Sequence, residues 1–120
     1  MSVSAPLRAT RALALRDCAV FAALTADELR ALAVLCDEVA LPAGGTLFRA
    51  GEAGDALYVV TAGVLEIVAE GVARYPRGTG ECIGEMALLD GEPRSATVCA
   101  RTAARLLRLP RPAFAALLQR

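Results

Sequence analysis

Residues 83–97, IGEMALLDGEPRSAT, set the carboxylate of Glu85 behind Gly84 and the guanidinium of Arg94 behind Pro93, on either side of a small-and-apolar run and a bend. If GEMALL forms a single helical turn, its first N–H groups have no intrahelical partners and, together with the helix dipole, form a small anion site. Gly84 lacks a Cβ and lets a ligand approach the backbone; Ala87 does nearly the same one turn on. Asp90-Gly91-Glu92-Pro93 reads as a turn that sends the chain back into a strand opening with Arg94. The planar guanidinium fork matches two oxygens of one phosphate, so backbone amides and Arg94 converge on the same anion. A carboxylate beside a phosphate repels it unless a donor lies between. Glu85 therefore asks for a sugar hydroxyl, since an ionised carboxylate only accepts hydrogen bonds. Phosphate and ribose hydroxyl held close together in one compact ligand is the geometry of a 3′,5′-cyclic nucleotide.

Composition narrows what else the chain can do. The 120 residues contain no histidine, which excludes Ser-His-Asp and Cys-His nucleophiles, imidazole acid/base chemistry and His-ligated metals. Neither a phosphate loop of the G-x-x-x-x-G-K-[ST] kind nor a G-x-G-x-x-G after a strand is present, and the acidic residues show no paired, pocket-like clustering. The expectation is a protein that is not an enzyme and has no metal site. Thirteen acidic residues balance thirteen basic ones, all of them Arg, so no global field favours nucleic acid or an anionic membrane. The run of Arg94, Arg101, Arg105, Arg108, Arg111 and Arg120 would scatter over both faces of strands without interleaved aromatics, and no direct nucleic-acid binding is expected. Cys18, Cys36, Cys82 and Cys99 show no C-x-x-C spacing; they read as reduced, mostly buried small hydrophobes. The N-terminal stretch is broken by Arg8, Arg11, Arg16 and Asp17 before an apolar core develops, and no apolar run reaches the ~20 residues of a membrane span. The expected setting is cytoplasmic.

Several elements must position the Glu85–Arg94 segment. A helix is expected around residues 5–17, and a clearer one over 25–35, TADELRALAVL, where Thr25 and Glu28 form a capping box and Leu29, Leu32, Ala33 and Cys36 recur at helical spacing. From Glu38 the pattern becomes short β-rich runs, EVAL, TLF, ALYVV, LEIVA, ATVCA and RLLRL, punctuated by glycines. That pattern predicts an antiparallel roll or sandwich. In LEIVA, Leu65, Ile67 and Ala69 take one face against Glu66, Val68 and Glu70 on the other. PRPAFAALLQR closes the chain as a short helix starting near Pro112, with Phe114, Leu117 and Leu118 as its apolar stripe.

The stretch IGEMALLDGEPRSATV closely resembles the phosphate-binding cassette of the cyclic nucleotide-binding domain family, found in catabolite-activator-type transcription factors, regulatory subunits of the cAMP-dependent kinase and cyclic-nucleotide-gated channels. LPAGGTLFRAGEAGDALYVVTAGVLEIV is similar to the family's early strands, with turn glycines at Gly44, Gly51, Gly54 and Gly63, and ARLLRLPRPAFAALL to its last strand and following helix. The resemblance implies an α+β, mainly β fold: an eight-stranded antiparallel, jelly-roll-like β-roll with N-terminal helices, a short phosphate-cassette helix and a C-terminal helix. It implies an N-terminal helical extension over 1–17 and a binding domain over 18–120 that stops before the family's full C-terminal lid and hinge helix. The hairpin AEGVARYPRGTGEC is shorter than in many relatives. The family's ribose-binding glutamate falls on Glu85 and its phosphate-binding arginine on Arg94. The amides that hold the phosphate fall near Gly84, Met86 and Ala87; Ser95 faces the phosphate or a guanine amino group, and Ala96 lies near the base. The implied protein is a regulatory sensor of a cyclic nucleotide, cAMP ahead of cGMP, with no further cofactor. Its occupancy would be passed to an effector domain or partner protein, with a homodimer also open. The alternative is a degenerate member that keeps the fold as a ligand-free interaction module.

Overall fold

Two helices open the fold, and their residues show why. Helix α1 spans Ala5–Arg16 and α2 spans Ala26–Leu35, in a computed structural model that describes residues 5–16, 18, 21–69, 73–84 and 91–118. The expected capping box is present: the Glu28 amide donates to Thr25 Oγ1 at 3.2 Å and the Thr25 amide donates to Glu28 Oε1 at 2.9 Å. At the other end of α2 the orphan carbonyls meet a side chain from α1. The buried Arg11 donates through Nη1 to Cys36 O at 3.0 Å and to Ala33 O at 3.3 Å, setting a cation against the negative end of the α2 dipole.

Eight strands follow: β1 Asp37–Leu41, β2 Thr46–Phe48, β3 Ala56–Ala62, β4 Leu65–Ala69, β5 Ala73–Arg77, β6 Cys82–Ile83, β7 Thr97–Ala100 and β8 Ala104–Pro110. They form two four-stranded sheets, β1-β8-β3-β6 and β2-β7-β4-β5, in which every pairing is antiparallel. This is the expected eight-stranded roll. Two of its strands escape the β-rich runs visible in the sequence. β5 carries Pro76 in the middle, which an edge position tolerates, and β6 has only two residues, also at an edge. Helix α3, Arg111–Leu118, completes the described chain one residue earlier than Pro112, because the Arg111 amide is held by Asp55 O at 2.8 Å. The side chains of its expected stripe, Phe114, Leu117 and Leu118, lie outside the described residues, as does the expected cassette helix. Among the described residues no helix is long and apolar enough to cross a membrane.

The first sheet is covered on both faces, which is why ALYVV reads as an unbroken apolar run. Leu57 and Val59 of β3 and Leu107 and Leu109 of β8 pack under the helices with Leu15, Phe21, Leu29 and Leu32. Their neighbours Ala56, Tyr58, Val60 and Leu106 point the other way, into a second core with Phe48, Leu65, Val98 and Ala100 from the opposite sheet. The LEIVA alternation holds there: Leu65 is buried and Ile67 packs on this core, whereas Glu66 faces out to ion pairs with Arg74 at 2.9 Å and Arg101 at 3.1 Å.

The cysteines depart from the sequence reading. Cys18 and Cys82 form a disulfide, their Cα atoms 5.8 Å apart, while Cys36 and Cys99 remain free thiols. The two partners are 64 residues apart in sequence and no local spacing pairs them. The helical core does, by seating buried Cys18 where β6 begins against it.

Cys36 gives the fold an alkaline limit. Burial pushes its thiol up from 9.0 to about 11, with Arg11 acting in the opposite sense and neighbouring Asp37 reinforcing the rise. The folded chain thus holds this proton more tightly than the unfolded chain. The associated stability is full below pH ~9 and is lost as pH rises towards ~11, a total on the order of 2–3 kcal/mol. Urea melts at pH 8 and pH 11 should show wild type losing more stability over that interval than Cys36→Ala by about this amount; equal losses would count against it.

Candidate functional site

Arg94 is positioned by backbone before its side chain does anything. The loop between β2 and β3 pairs with it in both directions: the Gly51 amide donates to Arg94 O and the Arg94 amide donates to Glu52 O, both at 2.8 Å. Gly51 takes a φ of 91°, a conformation that suits glycine and allows the loop to turn back onto residue 94. The same loop is fastened further along, where the Ala50 amide donates to Thr97 Oγ1 at 3.0 Å.

So anchored, the side chain runs inward. Arg94 is 4% exposed. Its Nη2 donates to Ala56 O at 2.7 Å and its Nη1 to Gly84 O at 3.1 Å, and its Cζ stands 4.1 Å from the centre of the Phe48 ring. Asp55 approaches Nη2 at 3.8 Å from a largely exposed position. The Arg94 Nε is buried and has no hydrogen-bond partner among the described residues. Burial pulls the Arg94 pKa below the ordinary guanidinium value, against opposing help from Tyr58, Asp55 and Glu52, and nearby Arg111 adds to the lowering. The group remains a cation, since arginine does not deprotonate in proteins. A buried cation with an unused N–H and only a distant carboxylate for company is one that an anion would satisfy.

The requirement for glycine at 84 also becomes specific. Gly84 has a φ of 87°, and a Cβ there would collide with Arg94 Nη1. From the sequence, glycine seemed to be needed for ligand approach; in the structure the neighbouring guanidinium already occupies that space. Gly84 and Arg94 are thus brought together, through the Gly84 carbonyl. Ser95 is exposed and Ala96 half-buried on the way into β7. Glu85, Met86 and Ala87 lie outside the described residues. Three contributors were not anticipated: Phe48, Asp55 and the carbonyl of Ala56. Phe48 carried a faint signal as one of three phenylalanines in an aromatic-poor chain; a backbone carbonyl carries none.

The basic run towards the C-terminus is partly spent on internal contacts. Arg101 pairs with Glu66, Arg108 with Asp37 at 3.3 Å and Asp55 at 3.4 Å, and Arg111 donates through Nε and Nη2 to Gly54 O at 3.1 and 2.8 Å.

Comparison with known proteins places this geometry. The cyclic nucleotide-binding domain family matches residues 38–120. The chain is 35% identical over 108 residues to the cAMP-dependent protein kinase regulatory subunit of Emericella nidulans, an alignment covering 87% of this chain and 26% of the relative. It thus spans about a quarter of the length of that relative. Among solved structures it superposes on the regulatory domain of Toxoplasma gondii PKA co-crystallised with cAMP, with a TM-score of 0.81 and 26% identity over 94% of this chain and 46% of the other. It superposes equally well on the regulatory subunit of a cAMP-independent protein kinase A from Trypanosoma brucei, with a TM-score of 0.85 and 25% identity over 95% of this chain and 42% of the other. With the family matched over most of its length and the same roll in its structure, this chain belongs to the cyclic nucleotide-binding domain family.

Proposed function

We propose that this chain is a cyclic nucleotide sensor, with cAMP as its ligand, that passes its occupancy to an effector domain or partner protein in the cytoplasm. The observation that supports it best is the buried Arg94 guanidinium with a free Nε N–H, set directly behind Gly84. On this reading a cyclic phosphate takes the place of the backbone carbonyls as acceptor for Arg94. The amides near Gly84, Met86 and Ala87 complete the anion site, and Glu85 accepts from the ribose 2′-hydroxyl. Ser95 donates to the phosphate, and Ala96 lies against the base. Residues 18–120 form the binding domain and 1–17 a helical extension to it. No residue is given a catalytic role. Coupling of occupancy to output then amounts to a difference in nucleotide affinity between two conformations.

A second reading, a ligand-independent interaction domain, is favoured by one observation: both Arg94 Nη groups already have carbonyl acceptors, so the fold satisfies most of this cation by itself. The likeness to a cAMP-independent kinase regulatory subunit is compatible with it. Titration calorimetry with cAMP and with cGMP separates the two. Saturable heat with cAMP, weaker with cGMP, is the expected result; no heat with either at millimolar concentration would leave only the interaction domain.

A further inference from the structure

The Cys18–Cys82 bond joins the helical core to the edge of the first sheet, two parts of the molecule that also pack together. Cys18 follows α1, is 1% exposed, and belongs to the helical core. Cys82 opens β6, which is the outermost strand of its sheet; it pairs with β3 through Tyr58 with Ile83 and Val59 with Cys82, and just ahead of it Gly80 and Glu81 exchange hydrogen bonds with Val60 at 2.8 and 3.0 Å. Two residues after Cys82 comes Gly84, whose carbonyl accepts from Arg94. The bonds to Val60 fix the start of the strand, but among the described residues the ladder with β3 ends at Ile83, short of Gly84. The covalent tie to the helices adds a second anchor at Cys82, two residues from the candidate phosphate site.

We propose that Cys18–Cys82 is a thiol-sensitive latch: oxidised, it holds β6 and Gly84 where Gly84 O captures Arg94; reduced, it frees Arg94 for the anion and so raises nucleotide affinity. The affinity part rests on the sensor reading above. A disulfide in a cytoplasmic protein is ordinarily a transient, redox-sensing state rather than a permanent staple. The chemistry requires a dithiol reductant. Its thiolate attacks Sγ of half-buried Cys82, expelling Cys18 as a thiolate that takes up a proton. The second thiol of the reductant, as thiolate, then displaces Cys82 from the mixed disulfide, and Cys82 is protonated in turn. Two protein thiols form and one reductant disulfide is released, so electrons and protons balance. Cys36 and Cys99 take no part.

The test compares the whole chain before and after dithiothreitol, with bond opening verified by counting alkylated cysteines. Amide hydrogen exchange is read at residues 82–84 and 91–94, and cAMP affinity by calorimetry. The expected result is faster exchange at 82–84 on reduction together with binding tighter by about fivefold or more, within the usual range of allosteric coupling. Cys82→Ser should behave as the reduced protein and ignore dithiothreitol, as should Cys18→Ser if burial of its hydroxyl is tolerated; Cys99→Ser should remain thiol-sensitive. Unchanged exchange after the bond has opened overturns the latch, whatever the nucleotide does. Altered exchange with unaltered, measurable affinity overturns its control of the site. Altered exchange with no nucleotide binding in either state supports the mechanical latch and counts instead against the sensor reading.

Discussion

Arg94→Ala should bind cyclic nucleotide about ten- to a hundredfold more weakly than wild type, the loss expected when a charge-assisted hydrogen bond of roughly 1.5–3 kcal/mol is removed. The variant also strips the acceptors Gly84 O and Ala56 O of a donor and uncovers the face of Phe48, so its folding has to be checked alongside. Arg94→Lys separates charge from shape. Lysine restores a cation but not the fork that reaches two carbonyls at once, nor the additional Nε N–H. Its affinity should therefore fall between those of wild type and alanine. Calorimetry on the three proteins decides: equal binding by Arg94→Ala and wild type would remove Arg94 from the site.

The largest stability effect should come from the core between the sheets. Leu106 is fully buried in β8, paired with Val39 of β1 on one side and Val60 of β3 on the other, and packed with Phe48, Leu65 and Val98 from the facing sheet. Backbone ladders on both sides leave little room for the site to collapse around a cavity. Leu106→Ala should accordingly cost about 2–5 kcal/mol, measured by urea unfolding with an unchanged m-value. A loss below 1 kcal/mol would mean that the sheets close over the gap.

Local signals in the sequence were the readable ones. Thr25 and Glu28 announced their capping box because both partners lie within one turn, and Leu65, Glu66 and Ile67 announced which face of β4 points inward. Gly84 and Arg94 could be paired because a short turn separates them. What stayed hidden depends on chain segments that meet only after folding. Ala56 O, the shortest acceptor of Arg94, is 38 residues away and is a carbonyl that any residue would provide. The Cys18–Cys82 bond spans 64 residues, and β6 is too short to show any periodicity. The inward turn of Arg94 was illegible for a related reason: an arginine in a phosphate-site motif says nothing about the aromatic ring it stacks on before an anion arrives.

That stacking has an evolutionary consequence. Phe48 and Gly84 both border the Arg94 guanidinium, the ring by stacking on it and the glycine by leaving room for it. A lineage that gives up the arginine releases position 48 from a flat ring, whereas the φ of 87° still holds position 84 to glycine, so 48 and 94 should drift together. Sequences in which an aromatic at 48 persists without arginine at 94 ought to be scarcer than those that keep both, while glycine at 84 should persist in either case.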